Sequence, residues 1–183
     1  MASTLNRSLA DLGALLHLVD PTLPIGGFNH SNGLETFVQQ SVVSTKASLE
    51  EYVQTQLLQN WIYNDGAYLS LAFDAMAEND FERLCELEHS LSATKIARES
   101  REGSFKLGVR LLKIFIRYEQ HPMLSQFQQA ILKKEVQGYF PIVFAMVAQT
   151  MGLTKADTLY AFYYNAAVGS ITNGVKLIPL SQM

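Results

Sequence analysis

Four histidines, one cysteine and a scatter of carboxylates bound the chemistry open to this 183-residue chain. Cys85 and His89 stand at i and i+4, which puts both on one side of a helix and within reach of one metal ion. Glu82, Glu86 and Glu88 offer oxygen donors nearby. Two such ligands without a third make a weak site, and Cys85, flanked by leucines, reads more simply as a small core residue. His17 falls on an apolar helix and reads as a hydrogen-bonded core histidine. His30 differs, because Asn29, Ser31 and Asn32 surround it. Ser31 beside His30 suggests a nucleophile and its base, but sequence neighbours rarely form that pair, and no G-x-S-x-G elbow is present. Nor is there a Walker A loop, an H-E-x-x-H helix or a dinucleotide fingerprint. The residues name no catalytic set, cofactor or metal centre, and the reading is a non-enzyme.

His30 lies in the most punctuated stretch of the chain, Asp20 to Glu35, which holds two prolines after Asp20, three glycines and several short polar side chains. Pro24 fixes its own φ and pushes Leu23 towards extended geometry. Gly26 and Gly27 open backbone angles closed to other residues. Leu23, Ile25 and Phe28 are apolar, so the stretch reads as a shaped, partly buried turn that launches a helix. Asn32 or Ser31 is placed to cap that helix, with Glu35 completing a capping box.

The flanking patterns are helical nearly throughout. Leu9, Leu12, Leu15, Leu16 and Val19 predict a first helix ending before Pro21. A helix over 34–40 and a loop at 41–45 follow. Ser48 with Glu51 predicts a capping box for a helix through Leu49, Val53, Leu57 and Trp61. Asn64-Asp65-Gly66 either breaks that helix or is absorbed in it. Tyr68 to Met76 forms the next, and Glu78-Asn79-Asp80 closes it and caps another through Leu84, Leu87 and Leu91. A long helix is predicted over 93–118, ending at Gln120-His121-Pro122. The glutamine-rich 123–137 is weakly helical. Pro141 suits a helix start, and 140–151 is apolar on nearly every face, as in a buried central helix. Gly152 ends it. Thr154 with Asp157 caps a last helix running towards Pro179. The expectation is an all-α, single-domain multi-helix bundle over residues 1–183 with a buried central helix.

With 48% hydrophobic and only 17% charged residues, the chain has little charge with which to cover its own surface, which favours either a surface partly hidden by partners or an unusually helical, buried interior. A net charge of −3 gives no basic field for nucleic acid. No apolar run reaches membrane-spanning length, and the N-terminus lacks a charged head before an apolar segment, so the cytoplasm is expected. A single cysteine leaves no internal disulfide.

Charge is segregated. Lys106, Arg110, Lys113 and Arg117 repeat at i, i+4, i+7 and i+11 on one face, whereas 74–88 carries Asp74, Glu78, Asp80, Glu82, Glu86 and Glu88 against Arg83 alone. The plainer reading is a solvated basic face near the acidic helix of the same fold; the sharper one is a docking face for an acidic partner. On the last helix Asn165, Gly169, Thr172 and Lys176 form a stripe, with Ser170 and Asn173 beside it. Gly169 and Gly174 each cost roughly 1 kcal/mol against alanine, so close packing within the chain, a subunit interface or a polar passage is expected there.

Several of these segments resemble one family. Leu23-Pro24-Ile25-Gly26-Gly27-Phe28, then His30-Ser31 and Gly33-Leu34-Glu35, closely resembles the signature of the UreF family of urease accessory proteins. The stretch from Lys95 to Ser104 with Leu107-Gly108 is similar to the family's Arg/Glu-rich helix. Gly138-Tyr139-Phe140-Pro141, with Val143 and Phe144, resembles a Gly–Tyr–Pro–Val–Phe pattern, with Phe140 additional. Asn173 to Leu180 resembles a C-terminal signature in which a basic residue, here Lys176, precedes Leu-x-Pro-Leu.

That resemblance implies an all-α, non-catalytic chaperone without a cofactor. It implies a homodimer that bridges the UreD (or UreH) scaffold and the UreG GTPase and couples GTP hydrolysis to nickel insertion into apo-urease. Carried over, Pro24, Gly26, Gly27, Phe28, His30, Ser31, Gly33 and Glu35 shape a core or interface, and Lys176 lies near the partner-binding end. The family continues beyond the Pro-Leu signature, and Ser181 stands where glycine is expected, so the chain reads as a C-terminally shortened form. The alternatives are a direct nickel carrier using His30 or Cys85 and His89, and an all-α enzyme of unknown substrate.

Overall fold

Residues 141–148, Pro-Ile-Val-Phe-Ala-Met-Val-Ala, carry no polar side chain, and only a helix surrounded by other helices can bury such a run. In the computed structural model, which describes residues 8–26 and 33–178, every one of these eight residues is buried. They form most of α8 (Phe140–Thr150), the axis of the molecule. Pro141 sits in its first turn, where a missing N–H costs nothing, and Gly152, at φ +76°, turns the chain out of it.

Around that axis the described residues form eight further helices and no strand. They are α1 (Leu9–Leu18), α2 (Leu34–Gln39), α3 (Lys46–Thr55), α4 (Asp65–Ala77), α5 (Phe81–Thr94), α6 (Arg98–Phe115), α7 (Pro122–Leu132) and α9 (Lys155–Leu177). The all-α expectation is met. α4 and α6 make the most extensive contacts with α8, and α9 packs across both α4 and α8. The main core joins Leu69, Leu84, Leu111, Phe115, Phe127 and Phe144 to the α8 residues. A smaller core gathers Leu34, Val43, Leu49, Tyr52, Val53 and Ile178, tying α2 and α3 to the C-terminal end of α9.

Boundaries marked by special residues fall as the sequence implies. Asp80 accepts a hydrogen bond from the Arg83 N–H at 2.9 Å and caps α5. Thr154 Oγ1 accepts from the Asp157 N–H at 3.1 Å and caps α9. Pro122 opens α7, with His121 as its N-cap.

Five local expectations are corrected. The predicted helix over 93–118 is two helices, because Lys95-Ile96-Ala97 is non-helical between α5 and α6. Lys95 turns aside to pair with Asp65 at 2.6 Å, and Arg101 Nη1 donates to the Lys95 carbonyl at 3.0 Å. The capping box of α3 is Thr45 with Ser48 rather than Ser48 with Glu51, so the helix starts three residues earlier. It then continues as a π-helical stretch, Gln56–Trp61, which buries Trp61, and Asn64 marks the break before α4. α2 is capped by Gly33 at φ +90°, whose lack of a side chain rules out the predicted box with Glu35. The weak helix over 123–137 is a regular α7 followed by a non-helical 133–139.

Candidate functional site

The Asp20–Gly26 turn begins with a carboxylate folding the chain back on itself. Asp20 Oδ1 accepts from both the Thr22 N–H and its hydroxyl, each at 2.7 Å. Those two hydrogen bonds hold the Asp20 carboxyl below its usual range. Leu23 and Ile25 point into the main core, while Pro24 stays exposed. Gly26 takes φ +81°, and Arg110 of α6 lies against it, its Nη1 donating to the Ile25 carbonyl at 3.0 Å. A Cβ at position 26 would strike that guanidinium. The left-handed backbone angle favours glycine here, while the guanidinium, at the far end of a flexible side chain, can give way. The turn and the basic ridge of α6, two separate sequence features, therefore meet at one contact.

Lys106, Arg110 and Lys113 are exposed on one face of α6 and Arg117 is exposed in the turn after it, while Leu111, Leu112 and Phe115 fill the opposite side. Lys106 lies 3.5 Å from Glu102 on its own helix. Among the described residues no ion pair joins the ridge to the acidic 74–88 segment, whose Asp74 pairs with Lys155 and whose Glu86 pairs with Arg83.

Glu88 goes elsewhere. It is buried at 1% exposure and receives three backbone N–H groups: Gln137 and Gly138 on Oε2 at 3.1 and 3.0 Å, and Tyr139 on Oε1 at 2.7 Å. Burial pushes its carboxyl above the ordinary range, and the three donors pull against that shift. Gly138, at φ +82°, allows the bend that aims these N–H groups at one carboxylate. Tyr139 donates its hydroxyl to Ser92 Oγ at 3.0 Å, and the Phe140 N–H donates to Ser104 Oγ at 3.3 Å. Gly108 of α6 lies directly under this turn, with the Gly138 carbonyl where a Cβ would be. The sequence reading treated Glu88 as a spare metal donor and missed this role. Its position between Leu84 and Leu91, on the buried stripe of α5, was the available signal.

The third group lies at the end of α9. Asn173 and Gly174 are buried, and Leu49 of α3 packs where a Gly174 Cβ would stand, so this glycine serves contact within the chain. Gly169 has open space around it, and Lys176 is exposed. Asn165 Nδ2 donates to the Leu18 carbonyl at 3.3 Å, fixing α1 on α9. Between these parts lies a cleft of about 900 Å³, bordered by the 18–25 turn, the start of α6 and the middle of α9.

The candidate metal ligands do not converge. His89 Nε2 lies 2.9 Å from the Glu135 carbonyl oxygen, and Cys85 is half-buried with its thiol pushed up by burial and by Glu88. Among the described residues no group of three His, Cys, Asp or Glu side chains could hold a metal ion. His17 is exposed against the Phe115 ring, at 5.1 Å between centroids, and is not the core histidine predicted. Glu35 is exposed at the start of α2, beside the Gly33 cap. Gly27, Phe28, His30 and Ser31, with the tail from Pro179 onward, lie outside the described residues. No helix among the described residues is long and apolar enough to cross a membrane.

The comparisons with known proteins agree with this arrangement. The family model UreF matches residues 43–183. A protein of Haemophilus influenzae (strain PittEE) called "Urease accessory protein UreF" is 86% identical over 183 residues, covering all of this chain and 78% of the relative. Its namesake in Actinobacillus pleuropneumoniae serotype 5b is 80% identical over 175 residues, 96% of this chain and 77% of the relative. One from Bacillus sp. (strain TB-90) is 32% identical over 178 residues, 97% of this chain and 77% of the relative. The pairwise alignment with the Haemophilus protein also spans the Asp20–Glu35 stretch, which lies ahead of the family-model match. On the family-model match and on this identity over the whole length, the chain belongs to the UreF family.

Proposed function

We propose that this chain is a non-catalytic chaperone of urease maturation. It bridges the UreD/UreH scaffold and the UreG GTPase and couples GTP hydrolysis to insertion of nickel, its cargo, into apo-urease. The observation that carries this reading is the 86% identity over all 183 residues to a protein named for that accessory role. The structure adds support of a different kind. Residues of the family-like motifs act in this chain as packing devices: Gly26 under Arg110, Gly138 and Tyr139 around Glu88, and Asn173 beside the Leu49 contact of Gly174. Residues so used shape surfaces rather than perform bond chemistry.

In this reading the chain acts in the cytoplasm as one folding unit and as a homodimer. The exposed apolar side chains Tyr160, Tyr164, Ile171 and Val175 along α9 supply the kind of surface a dimer buries. Pro24, Gly26, Gly27, Phe28, His30, Ser31, Gly33 and Glu35 shape one partner surface, and Lys176 stands near another. The test is co-expression with urease and the remaining accessory proteins, with and without this chain. The expected result is a co-purifying complex and nickel-loaded urease only when the chain is present. Equal nickel loading in its absence would overturn the reading.

A further inference from the structure

The basic ridge that begins on α6 is an exposed positive strip on which, among the described residues, only Lys106 has an ion-pair partner, Glu102 at 3.5 Å. Lys106, Arg110 and Lys113 lie on α6, a rise of about 10 Å at 1.5 Å per residue, and Arg117 follows in the turn just past its last residue, Phe115. All four are exposed, and α6 is seated on α8 by its buried opposite face, so the strip is presented on a fixed support. Arg110 is anchored further by its hydrogen bond to the Ile25 carbonyl. The chain as a whole is at −3, so the residues outside the strip carry a net −7. On its N-terminal side Glu99 and Glu102 stand among Lys95, Arg98 and Arg101, with Arg98 holding Glu102 below the usual carboxylate range, and Glu119 follows Arg117. Three acids of the 74–88 segment are committed elsewhere: Asp74 to Lys155, Glu86 to Arg83 and Glu88 to the 137–139 turn.

We propose that this ridge docks an acidic segment of a partner protein, a short run of carboxylates along one helix face or strand. The claim rests on the reading that the chain works by assembling with other proteins and says which chemistry one of those contacts uses. The charge balance decides the class of partner. A nucleic acid is disfavoured by the net charge of −3, which gives the molecule no extended basic field. A row of about four carboxylates ends where the ridge ends.

The test uses the full chain and its variant Lys113→Glu/Arg117→Glu, with Lys113→Gln/Arg117→Gln as a milder second. Neither residue has an ion-pair partner among the described residues, so folding is expected to be unchanged, as checked by thermal unfolding. The probes are a helical peptide with glutamates at i, i+4, i+7 and i+11, its all-glutamine twin, a single-stranded DNA and phosphatidylserine vesicles. In parallel, the complex with urease and the other accessory proteins is assayed. The glutamate peptide should bind with an affinity that falls steeply with salt, and the charge-reversed pair should lose about tenfold or more. The glutamine pair should lose less. Equal peptide binding by wild type and variant overturns the proposal. So does DNA or vesicle binding as tight as the peptide's and lost in the same variant. Failure of wild type to join the urease complex while peptide binding persists strikes the functional reading and leaves the ridge standing.

Discussion

Two residues carry more of the fold than their types suggest. Glu88 gathers three backbone N–H groups, of which those of Gly138 and Tyr139 would otherwise be buried donors without acceptors. Glu88→Ala should therefore destabilise by on the order of 3 kcal/mol, read from the urea midpoint. The raised carboxyl pKa gives a pH signature with a defined sign. A group that binds its proton more tightly when folded adds stability below its unfolded pKa, about 4.3, and loses that contribution as pH rises through the folded value. The stability of wild type relative to Glu88→Gln should thus fall as pH is raised from about 4 towards neutrality. A flat difference would show that the three donors offset burial. Gly26 is the second residue. Gly26→Ala forces a Cβ into left-handed geometry and against Arg110, and should cost about 1–2 kcal/mol. Arg110→Ala, which opens the space but loses the bond to Ile25, should cost less, and the double variant should cost less than the sum of the two.

At the scale of elements, what could be read from the sequence divides by mechanism. Residues 140–151 announced a buried helix because no face was polar, and Asp80, Pro122, Gly152 and Thr154 announced boundaries because each has a local backbone role. The break at Lys95-Ile96-Ala97 has no such mark. It exists because Lys95 reaches Asp65 in a different helix, and that contact is tertiary. The start of α3 was missed because Thr45–Ser48 and Ser48–Glu51 both have capping spacing, and only the fold chooses between them. The choice is testable by circular dichroism and denaturant titration. Thr45→Ala should cost about 1 kcal/mol, whereas Glu51→Ala should change stability by less than about 0.5 kcal/mol. Of the candidate site, the basic ridge was readable from spacing alone. Its contact with the Asp20–Gly26 turn was not, because Ile25 and Arg110 are 85 residues apart.

For the whole molecule, the low proportion of charge and the exposed apolar side chains of α9 belong together. Tyr160 and Tyr164 stack at 6.2 Å in the open, and Ile171 and Val175 continue outside the main and smaller cores. If this face is the proposed dimer contact, Tyr160→Asp/Ile171→Asp should yield a folded monomer by light scattering where wild type is a dimer. A variant that remains dimeric moves the interface elsewhere. The ridge of α6 and the stripe of α9 differ in chemistry, one set by charge and one by apolar area. Salt should weaken association at the first and leave the second nearly unchanged.

The buried state of α8 also constrains the history of each chain. The ribosome delivers α4 and α6 long before residues 140–150, yet both of those helices pack mainly on α8. Until that segment emerges, α4 has α5 to pack on, but both α4 and α6 lack their largest partner, so a nascent chain halted near residue 139 has an incomplete core. Once the chain is finished the same dependence runs in reverse. The amides of 143–148 have no route to solvent that leaves the rest intact. Their deuterium exchange should be the slowest in the protein and should report the free energy of global unfolding.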